Sequence, residues 1–461
     1  MWYFKFKVNL KTHLLVIFCL FSICFLVYFP TLCPTVTWAH FAEFGPKILT
    51  QIYTEPLSFT QKHFFYLAVA KFYSSFIIRY APFARSDPAF PINLFSALFS
   101  ALTVTTTYLI IFSLSPVLKL PSHLTKPKNL AWLPAFFGSL VLAFSSTFWS
   151  QALVTQTASF NLFLFSLSLL FLLEISKKKR VKISLLVFFF LTLILLLNNI
   201  PSGSSLDFRA PREFLENWEI IISLILTNFS GIVLLLALLG LFFGFEKKLS
   251  LLPLLGICLG QMLLDSLVAT STTPPFFLPC FLVIALFSGL GLKVPLEIIL
   301  AIAQSEMAVS FENRFCLLIF RLKKAGRFLR YAIFCLLGYF VLITTLVSFR
   351  KSYPSVNLKN EREAFNFGQN SLAVLPNNSL VFCETDKLFN TLEYFQKVVK
   401  PRGDLELLTF AKDTKKVVKA NIQKRPVFFA LAKPPIPTGE TRGKWEKYTL
   451  VSKGPLYQVL P

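Results

Sequence analysis

The chain has 461 residues, of which 55% are hydrophobic and only 15% are charged. Soluble domains carry about 25% charged residues, so this composition excludes a purely soluble protein and predicts one solvated mostly by lipid. The formal net charge is +23, but the basic residues cluster beside apolar runs. There they set topology and contact anionic headgroups, so we expect membrane lipid as a partner and no nucleic acid.

Several apolar runs are long enough to cross a bilayer, which takes about 20 mostly apolar residues. The first run follows Lys5, Lys7 and Lys11 without a cleavage pattern, which predicts an uncleaved signal-anchor. The predicted spans are 12–30, 91–114, 132–150, 159–175, 183–200, 219–244, 249–267, 276–293 and 331–349. A shorter run, 63–78, carries Lys71 in its middle and is either a juxtamembrane helix or a further span.

The charges of the loops favour the juxtamembrane helix. If run 63–78 does not cross, the basic clusters at 177–182 and 314–330 are cytoplasmic, and the external loops 151–158 and 268–275 carry no Lys or Arg. Positive loops favour the cytoplasm. We therefore predict a multi-pass protein of the cell or inner membrane with a cytoplasmic N-terminus. Its external loop, 31–90, then carries the juxtamembrane helix.

Residues 351–461 have the composition of a soluble domain. Helical spacing over 359–375 and 388–399 alternates with strand-like runs at 379–383, 404–409, 427–431, 448–451 and 456–460. This alternation predicts a small α/β domain, and its length suffices to bury a core. The predicted topology makes the domain extracytoplasmic.

Four blocks of sequence, in order, carry a resemblance to a known family. They are Pro34-Thr35-Val36-Thr37-Trp38; Asp87-Pro88-Ala89 with Asn93-Leu94-Phe95-Ser96-Ala97-Leu98; Thr147-Phe148-Trp149-Ser150-Gln151-Ala152 with Asn161; and, in the tail, Leu375-Pro376-Asn377-Asn378-Ser379, Tyr394-Phe395-Gln396 and Arg402-Gly403-Asp404. In these blocks the chain resembles the protein O-mannosyltransferase-like membrane proteins, relatives of GT-C-type glycosyltransferases. The resemblance implies an α-helical polytopic GT-C-like domain of about nine spans over 1–350, followed by the α/β domain at 351–461.

The resemblance also implies a reaction. A sugar would pass from a polyprenyl-phosphate donor to an external protein or glycan acceptor by inverting direct displacement. A hydroxyl is a poor nucleophile until a nearby group accepts its proton, which an acidic residue of the first external loop would do. A divalent metal ion or basic side chains would neutralise the departing phosphate, and the sequence leaves both open.

The chain departs from the family where this acid is expected. The position of the family's Asp is His40, the adjacent glycines are Ala39 and Ala42, and Glu43 remains of the acidic pair. We predict Glu43 as a catalytic residue because it is the remaining acid. We predict His40 as a second one, since an imidazole titrates near neutral pH and can accept a proton. The alternatives are an exposed interfacial acid and a hydrogen-bonded loop histidine.

Six further residues are predicted to bind substrate, and each has a structural alternative. For Asp87 that alternative is capping the helix of span 91–114, and for the others it is interfacial anchoring or hydrogen bonding between helices. The predicted substrate-binding residues are Trp38, Lys62, His63, Asp87, Gln156 and Asn161.

Two functions therefore compete at this point. One is a divergent glycosyltransferase. The other is a catalytically inactive GT-C-like pseudoenzyme that binds a glycan or lipid or assists a partner, which the loss of the Asp and both glycines motivates. A transporter is disfavoured, because the sequence lacks repeated pairs of broken helices and paired intramembrane charges.

Overall fold

A computed structural model describes residues 10–38, 45–58, 61, 63–81, 87–115, 132–176, 222–245, 278–304, 326–411, 413–432 and 448–460. The predicted spans 183–200 and 249–267 and the basic cluster at 177–182 lie outside these residues. So do three of the candidate site residues: His40, Glu43 and Lys62.

The helices of the described part are α1 (Leu10–Thr31), α2 (Gly45–Thr54), α3 (Phe64–Tyr80), α4 (Ala89–Leu114), α5 (Trp132–Ala143), α6 (Ser146–Ala152), α7 (Thr157–Ser176), α8 (Ile222–Asn228), α9 (Gly231–Phe245), α10 (Leu278–Gln304), α11 (Gly326–Val356), α12 (Glu363–Val374), α13 (Asp386–Tyr394) and α14 (Thr414–Asn421). A π-helical turn, Phe395–Val399, continues α13. The strands are β1 (Leu380–Cys383), β2 (Glu406–Thr409), β3 (Val427–Ala430), β4 (Thr449–Lys453) and β5 (Leu456–Leu460).

Long apolar helices make this an integral membrane protein. Among the described residues, three helical stretches are long and apolar enough to cross a bilayer: His13–Thr31 in α1, Ala89–Leu114 as α4, and Leu278–Leu296 in α10. Two helix pairs pass the same test only together, α5 with α6 and α8 with α9. The mostly helical fold with a small C-terminal sheet confirms the predicted fold class, while the number of spans stays a prediction.

The predicted spans 132–150 and 219–244 are not straight helices, which corrects the expectation from sequence. Helices α5 and α6 meet at 70°, and α8 and α9 at 110°. At the first break, Asn228 accepts the backbone N–H of Thr147 at 2.7 Å and the hydroxyl of Ser146 at 2.9 Å. A distant side chain thus satisfies an N–H group that the start of α6 leaves free, and hydrophobic periodicity carries no sign of it.

Glycines allow α10 to approach two neighbouring helices closely. A Cβ on Gly291 would overlap the backbone oxygen of Leu236 in α9, and one on Gly289 would lie 2.8 Å from the backbone oxygen of Pro134 in α5. Small residues at such contacts provide the close packing that holds helices together in lipid, where the hydrophobic effect does not drive association.

By its contacts the chain divides into two compact units. The first comprises Met1–Pro30, Ala97–Ala152 and Ala158–Asn357. The second comprises Thr31–Ser96, Leu153–Thr157 and Leu358–Pro461, so it contains both the first predicted external loop and the C-terminal sheet. The domain boundary between 350 and 351 stays a prediction.

The C-terminal sheet has the order β2-β1-β3-β5-β4. Strand β1 runs parallel to β2 and β3, and β5 runs antiparallel to β3 and β4. The central strands β1 and β3 are fully buried, as expected for apolar runs in the middle of a sheet. All five strands lie within the predicted strand-like runs or within two residues of them. Helix α14 was not predicted from the sequence, because its lysines interrupt the apolar spacing that indicates a helix.

Two motifs of the tail block, 375–379 and 402–404, are joined by Arg402. Its guanidinium donates to the backbone oxygen of Leu375 at 2.9 Å and pairs with the carboxylate of Asp404 at 2.5 Å. The Asn378 N–H donates to the same carboxylate at 3.1 Å. The hydrogen bonds from Arg402 lower the pKa of the exposed Asp404 carboxyl to about 2. These blocks therefore fix the turn that leads into β1.

Candidate functional site

Segment 33–38 leads from α1 towards α2 without regular secondary structure, and Asn93 of α4 holds it in place. The Asn93 amide nitrogen donates to the backbone oxygens of Cys33 at 2.8 Å and Thr35 at 3.1 Å. The amide oxygen accepts the hydroxyl of Thr155 at 2.7 Å. Asn93 is only 1% exposed, so these hydrogen bonds form away from water, where an unmade bond is costly.

Asp87 binds the same segment from just before α4. Its Oδ1 accepts the backbone N–H of Ala89 at 2.7 Å, which is the hydrogen bond expected of a helix cap. The same oxygen accepts the hydroxyl of Tyr394 at 3.2 Å, and Oδ2 accepts the hydroxyl of Thr35. Asp87 is 7% exposed. Besides capping α4, it therefore joins segment 33–38 to α13.

Burial raises the pKa of the Asp87 carboxyl, while the donors Thr35, Ala89 and Tyr394 and the positive charge of Arg362 oppose that rise. Burial also raises the pKa of the Tyr394 hydroxyl well above its ordinary value, and the nearby Asp87 carboxylate adds to the effect. Tyr394 consequently keeps its proton and serves as a hydrogen-bond donor.

Trp38, the last described residue of the segment, is bound by three side chains. The indole N–H donates to the hydroxyl of Thr391 at 2.8 Å, and the ring centroid lies 5.3 Å from that of Phe367. The ammonium of Lys387 lies 4.6 Å from the ring centroid, within the range of a cation–π interaction. Helices α12 and α13 thus fix the residue that immediately precedes the predicted catalytic stretch.

Residues from three of the four blocks of the family resemblance are therefore in contact. Thr35 belongs to the first block, Asp87 and Asn93 to the second and Tyr394 to the tail, and Thr155 lies between Ala152 and Asn161 of the third. Side chains so far apart in sequence are brought together by the fold around segment 33–38.

Part of the chain matches the model of a known family. Residues 64–198 match the model of the Protein O-mannosyl-transferase TMEM260 N-terminal domain. The match to the O-mannosyl-transferase domain confirms the predicted resemblance for the second and third blocks and supports a glycosyltransferase-like membrane protein, while segment 33–38 and the tail lie outside the matched residues.

No curated protein sequence matches the chain. Among solved structures, ArnT from Cupriavidus metallidurans bound to undecaprenyl phosphate shares 12% identity over 97% of each chain, with a TM-score of 0.49. The apo state of the same protein shares 11% identity over 98% of each chain, with the same TM-score of 0.49.

The structure describes five of the predicted site residues. Trp38 is part of segment 33–38, and Asp87 accepts a hydrogen bond from Thr35 of that segment. Gln156 is 8% exposed and directly follows Thr155. His63 precedes α3 with φ 63°, in the left-handed region, and Asn161 is half-buried in α7. His40, Glu43 and Lys62 lie outside the described residues and stay predictions.

The sequence patterns did not indicate Thr35, Asn93, Thr155 or Tyr394 as residues of this site. Asn93 stands in an apolar helix. Because an amide is costly to bury without a hydrogen-bond partner, its position there indicates that it has one. Tyr394 gave no such signal, because nothing in the sequence links it to Asp87, which lies 307 residues away.

The resemblance leaves room for a divalent metal ion. Within the described ranges, no three His, Cys, Asp or Glu side chains come together to hold one. Both oxygens of Asp87 already accept hydrogen bonds from internal donors. The described residues therefore do not make up a cation site.

Proposed function

We propose that this protein is a divergent integral-membrane glycosyltransferase that transfers a sugar from a polyprenyl-phosphate donor to an external protein or glycan acceptor. The observation that carries the proposal is the network around segment 33–38. Asp87 and Asn93 bind Thr35, five residues before His40 and eight before Glu43, and Tyr394 binds Asp87. The family match over 64–198 supports the reaction class.

In the proposed reaction, the Glu43 carboxylate accepts the proton of the acceptor hydroxyl. The hydroxyl oxygen then attacks the anomeric carbon, the bond from that carbon to the phosphate oxygen breaks, and polyprenyl phosphate leaves with the electron pair. Attack from the face opposite the phosphate inverts the anomeric configuration. His40 is the second candidate base, and Lys62 and His63 would bind the phosphate in this proposal.

The network around Asp87 would serve this reaction by positioning. A catalytic group is effective when its carrier is held close to the productive geometry before substrate binds. Asn93 and Asp87 fix the segment at Cys33 and Thr35, and α13 fixes it at Trp38. The catalytic stretch 39–44 therefore starts from a fixed point.

The juxtamembrane position of α3 is supported by its exposed face. Val69, Phe72, Phe76 and Tyr80 are exposed at helical spacing along α3, which favours a helix lying on lipid. The ammonium of Lys71 donates to the backbone oxygen of Glu55 at 3.1 Å, so the charge has a protein partner. We propose that α3 lies along the outer face, with the N-terminus cytoplasmic and the C-terminal domain extracytoplasmic.

A second candidate is the GT-C-like pseudoenzyme, which would bind a glycan or lipid or assist a partner. It is favoured by Asp87, whose oxygens accept three internal hydrogen bonds and so have little capacity left for substrate. It is favoured also by His40, which stands where the family resemblance places an Asp.

One assay separates the two candidates. Purified full-length protein in lipid nanodiscs is incubated with polyprenyl-phosphate hexoses and short peptides rich in Ser and Thr. The proposal predicts a hexosylated peptide whose anomeric configuration, read by NMR, is opposite to that of the donor. Donor binding without transfer or hydrolysis would favour the pseudoenzyme, and a product of retained configuration would contradict direct displacement.

A further inference from the structure

The C-terminal sheet has an open edge at β2. This strand stands first in the sheet and, among the described strands, pairs only with β1. Glu406 and Phe410 donate their N–H groups to β1 and its flanks, at 3.0 Å and 3.1 Å. Successive residues of a strand direct their backbone groups to opposite sides. The N–H and C=O groups of Leu407 and Thr409 therefore point away from β1.

A cavity of about 450 Å³ lies beside this edge and is lined by Leu407, Leu408 and Thr409. Because three consecutive residues of β2 line it, the cavity lies along this strand. Helix α13 forms the facing wall with Asp386, Phe389, Asn390 and Glu393.

The charged residues that line the cavity are mostly acidic, although the whole chain carries +23. The charged residues that line it are Glu55, Asp386, Glu393 and Lys47, three acids and one base. A partner that complements this surface needs a free backbone edge and positive side chains. An extended polypeptide with basic residues provides both.

We propose that the β2 edge binds an extended polypeptide segment with Lys or Arg at alternate positions, which adds as a strand beside β2. Backbone hydrogen bonds to Leu407 and Thr409 would supply affinity, as in other cases of strand addition, and the carboxylates of α13 would select basic side chains. The proposal does not rest on the proposed function, because it uses no property of Glu43 or His40.

The test uses the full chain in nanodiscs and a short fluorescein-labelled peptide that alternates lysine and valine. Fluorescence anisotropy should show saturable binding. Binding should weaken by about tenfold or more when alternate backbone amides of the peptide are methylated, and also when glutamate replaces lysine. Equal binding of the methylated peptide would overturn strand addition.

Protein variants locate the site. Leu407→Pro removes an outward N–H and leaves the β1 ladder intact, since proline is tolerated on the free side of an edge strand. It should weaken peptide binding by about tenfold or more. The double variant Asp386→Asn, Glu393→Gln should weaken binding to the same extent, and it leaves the sequence of β2 unaltered. Glu363→Gln, on α12 outside the cavity, should leave binding unchanged.

Two results from these variants would overturn the proposal. The first is wild-type binding by the folded Asp386→Asn, Glu393→Gln protein. The second is a dimer that light scattering detects in the wild type and that Leu407→Pro dissociates, because a second copy of the chain would then occupy the edge.

Discussion

The hydroxyl of Tyr394 lies 3.2 Å from Oδ1 of Asp87, although 307 residues separate the two in sequence. Through this hydrogen bond, α13 of the tail is joined to the start of α4. Through the Thr35 hydroxyl on the other carboxylate oxygen, both are joined to segment 33–38. The geometry ahead of the predicted catalytic stretch therefore depends on the tail as much as on the first external loop.

Tyr394→Phe should lower the free energy of unfolding by about 1–3 kcal/mol, because it removes a donor from a buried carboxyl group and leaves the ring in place. Thermal unfolding of the purified protein in detergent measures the loss. Tyr457→Phe, a partly buried tyrosine on β5, is the matched control. Equal effects of the two substitutions would contradict the assigned hydrogen bond.

Asn93→Leu should lower the free energy of unfolding more than Tyr394→Phe does, by about 1–3 kcal/mol for each polar group that it leaves unsatisfied. The substitution deprives the backbone oxygens of Cys33 and Thr35 of their donor and the Thr155 hydroxyl of its acceptor. Limited proteolysis should then cut within 31–44 much faster than in the wild type. A cleavage rate at the wild-type level would show that Asn93 does not hold the segment.

Asp87 should make stability depend on pH in a particular direction. Burial raises the folded pKa of this carboxyl above its ordinary value, so the stability linked to it is complete below the ordinary value and is lost as pH rises through the folded value. Asp87→Asn removes this dependence. Its free energy of unfolding relative to wild type should therefore increase from about pH 4 to about pH 8. A relative stability that stays constant over this range, measured by denaturant titration, would contradict the shift.

The sequence predicted the elements of this fold better than their junctions. The length of the apolar runs predicted α1 and α4, and the strand-like runs predicted the sheet, because each pattern can be seen within a single stretch of sequence. The bend between α5 and α6 depends on Asn228, some 80 residues away. Capping of α4 by Asp87 was predictable from adjacent residues, whereas the hydrogen bonds of Asp87 to Thr35 and Tyr394 require the folded chain.

Gly291→Ala should destabilise the membrane domain by about 1–3 kcal/mol, because the added methyl group would overlap the backbone of Leu236. Gly338→Ala on α11 is the control, since a Cβ there meets nothing within 4 Å. It should be neutral or slightly stabilising in a helix. Thermal unfolding in detergent compares the two, and a similar loss for both would argue against close packing of α9 on α10.

The most direct test of the central claim is the initial rate of hexose transfer by Glu43→Gln in the nanodisc assay, relative to wild type and to Glu363→Gln. General-base catalysis contributes about 10²–10⁴-fold, so we expect Glu43→Gln to lose at least the lower figure while Glu363→Gln transfers at the wild-type rate. Transfer by Glu43→Gln at the wild-type rate would contradict the assignment of Glu43 as the base.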